Sequence, residues 1–476
     1  MLTAMNKAVR RIKRILLPSF LRREYHKRWG ALRYSHMRFR RPRYHDVVGK
    51  QIPKLARGRI VWVHGSQLLS PLRFDIPIKA LFAKHWLRGV HKLWAEDLYL
   101  KHLKIWNGFF EKDPAKASAS DFLRAFEQLL LSVKKNGFRS DISVVPVAAD
   151  ATAANGAHRI ATSIALNKKL PCTLSRDKLN YSYYFFKEQD TCQLVSEQEW
   201  DSVALQYSQL RQDVRTALVF PSAQGNHIEI QNLLSRCGSL VYERPIPLED
   251  MACVNLIRVI YQGERWLGSY REGFGGAREK SRRCFPLNHG DVRLFLLQTT
   301  CSPEKLRSIK AKIRSLFGIG KHSIHISDTH EESLRILERL LNSNALGGLR
   351  FPNAIPTPNF HRLMKRLARW ISQNGIDPSS ICVTGSAVLA AHGIRDCRDI
   401  DILHSGPIDP RKLPKGIGSH SSEQEYYDLE KEMIIYHPQY HFMLNGIKFA
   451  SLQVIHHMKA NRGEKKDEED LGLMAA

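Results

Sequence analysis

The residues best placed to do chemistry lie in the stretch ICVTGSAVLAAHGIRDCRDIDIL, residues 381–403. Its order reads strand, Gly-Ser turn, helix, loop, strand. Gly385 lets backbone approach a phosphate closely, and Ser386 offers a hydroxyl at the start of a helix, where anions are favoured. Gly393 is placed to end that helix. In Asp-Ile-Asp the pleat points Asp399 and Asp401 to one face and Ile400 and Ile402 to the other. Two carboxylates side by side repel and call for a cation. Mg²⁺, with oxygen ligands and substrate phosphates, meets that need. The same pair also reads as an exposed strand face with no ligand.

A second stretch with chemical potential is DISVVPVAADATAANGAHRIATSIALNKKLPCTLS, residues 141–175. It reads as strand, turn, short loop, apolar helix and second strand. Gly156 permits close approach, and Asn155, His158 and Arg159 sit where a helix dipole and a guanidinium could both meet a phosphate. The alternative is a His-Arg pair that only caps a core helix.

The first stretch resembles the nucleotidyltransferase superfamily of the polymerase-β type, which carries Gly-Ser, about a dozen residues, then Asp-x-Asp on a strand. Here twelve residues separate Ser386 from Asp399. The resemblance continues in NGIKFASLQVIHHMKANRGEKKDEEDL, residues 445–471, where a hairpin leads into a helix with Lys459, followed by Lys466, Asp467 and Asp470. It covers residues 360–475 and implies a mixed sheet with flanking helices. It also implies Mg²⁺ on Asp399 and Asp401, catalysis by those two aspartates, and an NTP held by Gly385, Ser386 and Lys459. A third carboxylate is usual on the strand before the hairpin. That strand, YHFML at 440–444, has none, and Asp428, Glu430 or Glu432 are the upstream substitutes. The second stretch is similar to the ParB/sulfiredoxin superfamily, which implies nucleotide binding by Asn155, Gly156, His158 and Arg159.

These motifs need elements to hold them. The fold class expected is α/β (α+β) and multidomain. A basic, partly helical head (1–57) precedes a ParB/sulfiredoxin-like α/β domain (58–190), a middle α/β domain (191–345) and a nucleotidyltransferase-like domain (346–476). Strands are expected near 58–66, at 143–147, at 253–261, at 292–298 and around 322–326. Helices are expected across 75–135, from Pro303 to Phe317, and after a Thr329 cap. Residues 343–360, rich in Asn, Gly and Pro, read as a linker. A Gly/Arg-rich loop from Gly263 to Arg283 could hold an anion but lacks a P-loop ending. His322 and His325 with Asp328 read as metal ligands or, more commonly, as satisfied histidines.

Composition narrows the class. Hydrophobic residues make up 43% of the 476, which is ordinary for a globular chain, and no apolar run is long enough to cross a membrane. The eight cysteines are scattered without a C-x-x-C pair, which argues against a zinc ribbon or a disulfide framework and suits a cytoplasmic chain. Residues 1–60 hold eighteen Lys/Arg against Glu24 and Asp46, so most of the formal +27 belongs to the head. Residues 5–30 read as a basic amphipathic segment suited to an anionic membrane surface, which would place the protein peripherally at the inner face. Nucleic acid, an organelle transit peptide and a solvated tail are the rival readings of that segment.

The function expected is an Mg²⁺-dependent nucleotidyl- or phosphoryl-transferase of bacterial surface polysaccharide or envelope assembly. The alternatives are a nucleic-acid-binding or RNA-modifying nucleotidyltransferase, and a catalytically degraded nucleotide-binding scaffold.

Overall fold

The computed structural model describes residues 55, 58–112, 115–177, 179–223, 225–351 and 355–475. The amphipathic segment 5–30 lies outside them. Helix makes up 52% and strand 17%, and among the described residues the strands form three small sheets, consistent with an α/β class. Among the described residues no helix is long and apolar enough to cross a membrane.

The first sheet has the order β1-β3-β2, with β1 Val61–His64, β2 Val145–Val147 and β3 Lys169–Leu174. β2 runs parallel to β3, and the helix Ala157–Leu166 connects them as the expected crossover. Three helices, Asp75–Leu87, Ala95–Asn107 and Ala119–Asn136, fill the stretch expected to be helical. Ser118 caps the third, its hydroxyl accepting from the Asp121 amide.

The second sheet is antiparallel in the order β5-β6-β4-β7: β4 Val214–Val219, β5 Ser239–Glu249, β6 His289–Gln298 and β7 Ile324–Ile326. Helix Pro303–Phe317 opens on a Ser302 cap with proline in its first turn, and Thr329 caps His330–Leu340. Two expectations are corrected here. The strand read at 253–261 is the helix Met251–Ile260, because Ala252, Cys253, Leu256, Ile257 and Ile260 all bury along one helical face. The β-branched residues that suggested a strand are overridden by packing. The linker read at 343–360 begins instead with a helix, Ser343–Gly348, whose first amides are accepted by the Asn342 side chain.

The third sheet is mixed, in the order β10-β9-β8-β12-β11: β8 Ile381–Thr384, β9 Ile400–His404, β10 Ile417–Ser419, β11 His441–Leu444 and β12 Ile447–Ala450. β9 is antiparallel to β8, while β10 runs parallel to β9 and β12 parallel to β8. Helix Pro358–Gln373 buries Phe360, Leu363, Leu367 and Ile371, one apolar stripe at helical spacing.

The described residues pack as one compact unit. A single core extends from Val63 through Trp200 and Leu294 to Leu349, so the first two sheets share apolar packing across the boundary expected at 190/191. The third sheet has a core of its own, centred on Val383, Ile400, Ile402 and Phe449. Polar bonds join it to the rest. Trp94 donates to the Tyr436 carbonyl at 2.8 Å, Asn342 to the His441 carbonyl at 3.0 Å, and the Gly446 amide to Glu338 at 3.2 Å.

Candidate functional site

Asp399 and Asp401 leave β9 on the same side: Asp399 is exposed and Asp401 half-buried, while Ile400 and Ile402 are fully buried beneath them. Gly385 stands where β8 turns into the short helix Ser386–Ala391, with φ +64° and ψ −148°, a backbone region essentially reserved for glycine. A Cβ on Gly385 would lie 2.8 Å from Asp401 Oδ2. On the other side of the carboxylate, a Cβ on Gly418 of β10 would lie 2.9 Å from Asp401 Oδ1. The Asp401 carboxylate is thus clasped between two glycine backbones, which ties the Gly-Ser turn directly to the Asp-x-Asp strand. Ser386 is half-buried at the same turn.

Burial pushes the Asp401 carboxyl above its ordinary range. His420 pulls the other way, while Asp399 and Glu423 add to the rise. Behind it runs a hydrogen-bonded chain. Thr384 Oγ1 and Tyr427 Oη are 2.6 Å apart, Tyr427 Oη and His420 Nδ1 2.8 Å, and His420 Nε2 and Glu423 Oε2 2.8 Å. Arg462 reaches the same Glu423 oxygen at 3.3 Å. The His420 ring thus bridges Glu423 and Tyr427, and Tyr427 links it to Thr384. The Tyr427 ring, on its far side, walls a cavity of about 290 Å³ bounded also by Leu429, Tyr440, Gln453, Val454 and the Asp428–His457 pair.

This arrangement revises the search for a third acid. The strand at 440–444 is the far edge of the sheet, separated from β9 by β8 and β12, so it is not where an acid could meet Asp401. The neighbour of β9 on its open side is β10, and the acid that follows it is Glu423. Asp428 instead faces the helix Leu452–Arg462, accepting from Asn461 at 2.8 Å and paired with His457 at 3.0 Å. Glu430 and Glu432 flank the start of the helix Lys431–Tyr436. Neither the pattern nor the spacing singled out Glu423, Gly418 or His420. A Gly-Ser-His run just after the Asp-x-Asp strand is the signal that could have done so.

Lys459 is spent elsewhere. It is 2% exposed and bonded to Asp467 at 2.7 Å and Asp470 at 2.8 Å. Asp470 also takes a bidentate Arg395, and Asp467 takes Arg462 through Nε and Nη2. The tail residues Lys459, Asp467 and Asp470 therefore fasten the helix Lys465–Ala475 to its neighbours. Lys466 lies outside this cluster, exposed and paired with Glu464.

The Asn155–Arg159 loop is set in a different sheet and a different core. Gly156 has φ +84° and caps the Ala157–Leu166 helix, and the exposed Asn155 accepts from the Gly156 amide through its own side chain at 2.6 Å. His158 turns inward, 2.9 Å from Tyr99 Oη and edge-on to Phe126 at 4.7 Å between centroids. Burial, then the charges of Lys79 and Lys116, push it well below the ordinary histidine range, so it is neutral. Arg159 bonds the Ser143 hydroxyl and the Val144 carbonyl. Both side chains are engaged by protein groups, the arrangement of a capped core helix.

Comparison with family models, with curated proteins and with solved structures finds no match to this chain. Its functional reading therefore rests on the geometry alone.

Among the described residues, no three His, Cys, Asp or Glu side chains are gathered into a cation cage. The donors Asp399 and Asp401 nonetheless suit a hard cation, since Mg²⁺ is commonly held by one or two carboxylates with substrate phosphates completing its shell. The histidines once paired with Asp328 are otherwise employed: His325 bonds Glu332 at 2.9 Å, Asp328 bonds Lys310 at 2.8 Å, and His322 faces Lys280 at 3.3 Å.

Proposed function

We propose that the region around β8, β9 and β10 is a nucleotidyl- or phosphoryl-transferase site that uses an NTP with Mg²⁺. The observation that carries the reading is the clasp of the Asp401 carboxylate between the backbones of Gly385 and Gly418, beside the exposed Asp399. A phosphate-compatible turn and a pair of like charges are held together at a fixed distance, although each alone is commonplace. In this reading the Gly385-Ser386 turn contacts the phosphate chain, and Asp399 and Asp401 hold Mg²⁺, which supplies charge neutralisation at the transferring group. Glu423, half-exposed and held by His420 and Arg462, takes the part of the third carboxylate and accepts the proton of the attacking hydroxyl. A sugar hydroxyl of a surface polysaccharide precursor is an acceptor of suitable chemistry.

The test is Mg²⁺-dependent NTP binding by the full chain, compared with Asp399→Asn/Asp401→Asn. Binding that needs both the metal and the aspartates supports the site. Binding indifferent to either sinks it and leaves only a fold.

A further inference from the structure

Between the Met251–Ile260 helix and β6 the chain forms a surface lobe that the transferase reading does not use. It consists of two single turns, Arg265–Leu267 and Tyr270–Glu272, and the helix Gly275–Cys284. Its glycines serve the packing of the lobe itself. A Cβ on Gly276 would lie 1.8 Å from the Trp266 carbonyl oxygen, so the loop is pressed directly onto the helix start. That close packing holds Phe274 at φ +52° and leaves Trp266 and Tyr270 each 44% exposed.

The charges of the lobe are unbalanced. It carries Arg258, Arg265, Arg271, Arg278, Lys280, Arg282 and Arg283 against Glu264, Glu272 and Glu279. Glu272 is taken up by Ser269, accepting from its amide at 2.7 Å and its hydroxyl at 2.9 Å, and Glu279 pairs with Arg283 at 2.8 Å. Arg258 donates to Asn255 Oδ1 at 2.8 Å and lies 3.7 Å over the Phe274 ring. Arg278 donates to the Gly273 carbonyl at 2.9 Å and to Met251 sulfur at 3.6 Å. These partners are neutral, and both guanidiniums lie against the Gly273–Phe274 turn, one on the Gly273 carbonyl and the other over the Phe274 ring. Four other arginines are matched to carboxylates, in Arg73–Asp75, Arg211–Asp213, Arg395–Asp470 and Arg462–Asp467. Two cations on one turn, each with neutral partners, favour an anion.

We infer that this lobe is a binding site for single-stranded nucleic acid. Arg258 and Arg278 bracket a backbone phosphate, Trp266 and Tyr270 offer faces to unstacked bases, and Arg265 and Arg271, each next to one of those rings, meet the flanking phosphates. Alternating aromatic faces and cations are the combination that binds single strands without sequence preference. A duplex would leave the rings without partners. The inference stands independently of the transferase site.

The test uses the full chain and a labelled single strand of about twelve nucleotides, a length within the usual site sizes. Because the basic head also attracts polyanions, binding is located by ultraviolet crosslinking and peptide mass mapping. The expected result is crosslinks at Trp266 or Tyr270, competed by unlabelled single strand but not by duplex of equal length. Trp266→Ala and Tyr270→Ala should each weaken binding about tenfold, within the range for loss of one stacked base. Arg258→Ala/Arg278→Ala should weaken it and flatten its salt dependence. Crosslinks confined to residues 1–60, or affinity unchanged in these exposed-residue variants, overturn the inference. So does flotation with phosphatidylglycerol vesicles that depends on Trp266 and Tyr270 while nucleic-acid affinity does not.

Discussion

The clasp on Asp401 can be tested by adding one carbon. Gly418 has a backbone that any residue adopts, so Gly418→Ala carries no penalty of conformation. Its whole effect comes from a Cβ placed 2.9 Å from Asp401 Oδ1, against an ordinary contact of at least 3.4 Å. The carboxylate would have to retreat by about half an ångström, toward the Gly385 backbone on its other side. Overfilling a packed site of this kind costs about 1–3 kcal/mol. Asp401→Ala should remove the obstacle. In a double-mutant cycle, Gly418→Ala made in the Asp401→Ala background should then cost less by about 1–2 kcal/mol than in the native chain. Urea midpoints with unchanged slopes report both stabilities, and NTP affinity should fall with Gly418→Ala in the native background. If the two substitutions are additive to within about 0.5 kcal/mol, the carboxylate is not clasped and the argument from it fails.

Three further outcomes follow from the same structure. Lys459→Met should cost about 3 kcal/mol, because it leaves two buried carboxylates short of a cation, and should raise hydrogen exchange across 465–475 without a specific loss of NTP affinity. Gly276→Ala should open the 263–274 loop to proteolysis, since its Cβ meets a backbone carbonyl that cannot step aside. Glu338 is buried at the Gly446 turn, which pushes its carboxyl from the ordinary 4.5 up to about 7. Its folded pKa is raised, so the stability it contributes is complete below about pH 4.5 and is lost as pH rises through about 7. Glu338→Gln should flatten that slope and stabilise the protein above pH 7 by up to about 3 kcal/mol, as read from denaturation midpoints at pH 5 and pH 8.

Much of the local structure was legible because its signals are local. The Thr329 cap, the proline-led start of the helix Pro303–Phe317 and the burial of Ile400 and Ile402 beneath the two aspartates follow from side-chain chemistry within a few residues. The failures have a common cause in contacts distant along the chain. Residues 253–260 look like a strand until the core they face is known, and only that core selects helical spacing. The resemblance places a third acid on 440–444, and the sheet sets β8 and β12 between that strand and β9, an order that the sequence does not show. Gly418 has no chemistry of its own to notice, and its importance arises from the carboxylate that occupies the space a side chain would take.

The tail motif shows how a residue can serve a site without touching its ligand. Lys459, Arg462 and Arg395 face Asp467, Asp470 and Glu423, so three cations meet three anions and the cluster has no net charge to offer a phosphate. Its bonds run in sequence from Arg395 through Asp470, Lys459, Asp467 and Arg462 to Glu423, and from there through His420 to the edge of the Asp401 pocket. Burial of Asp467 and Asp470 opposes their ionisation, but the cations outweigh it and hold both carboxyls below their ordinary range. The helix carrying them is thereby fixed in register. The Asp467 and Asp470 pair is thus a positioning element: Asp467 sets Arg462, Arg462 sets Glu423, and Glu423 with His420 acts on the Asp401 carboxyl.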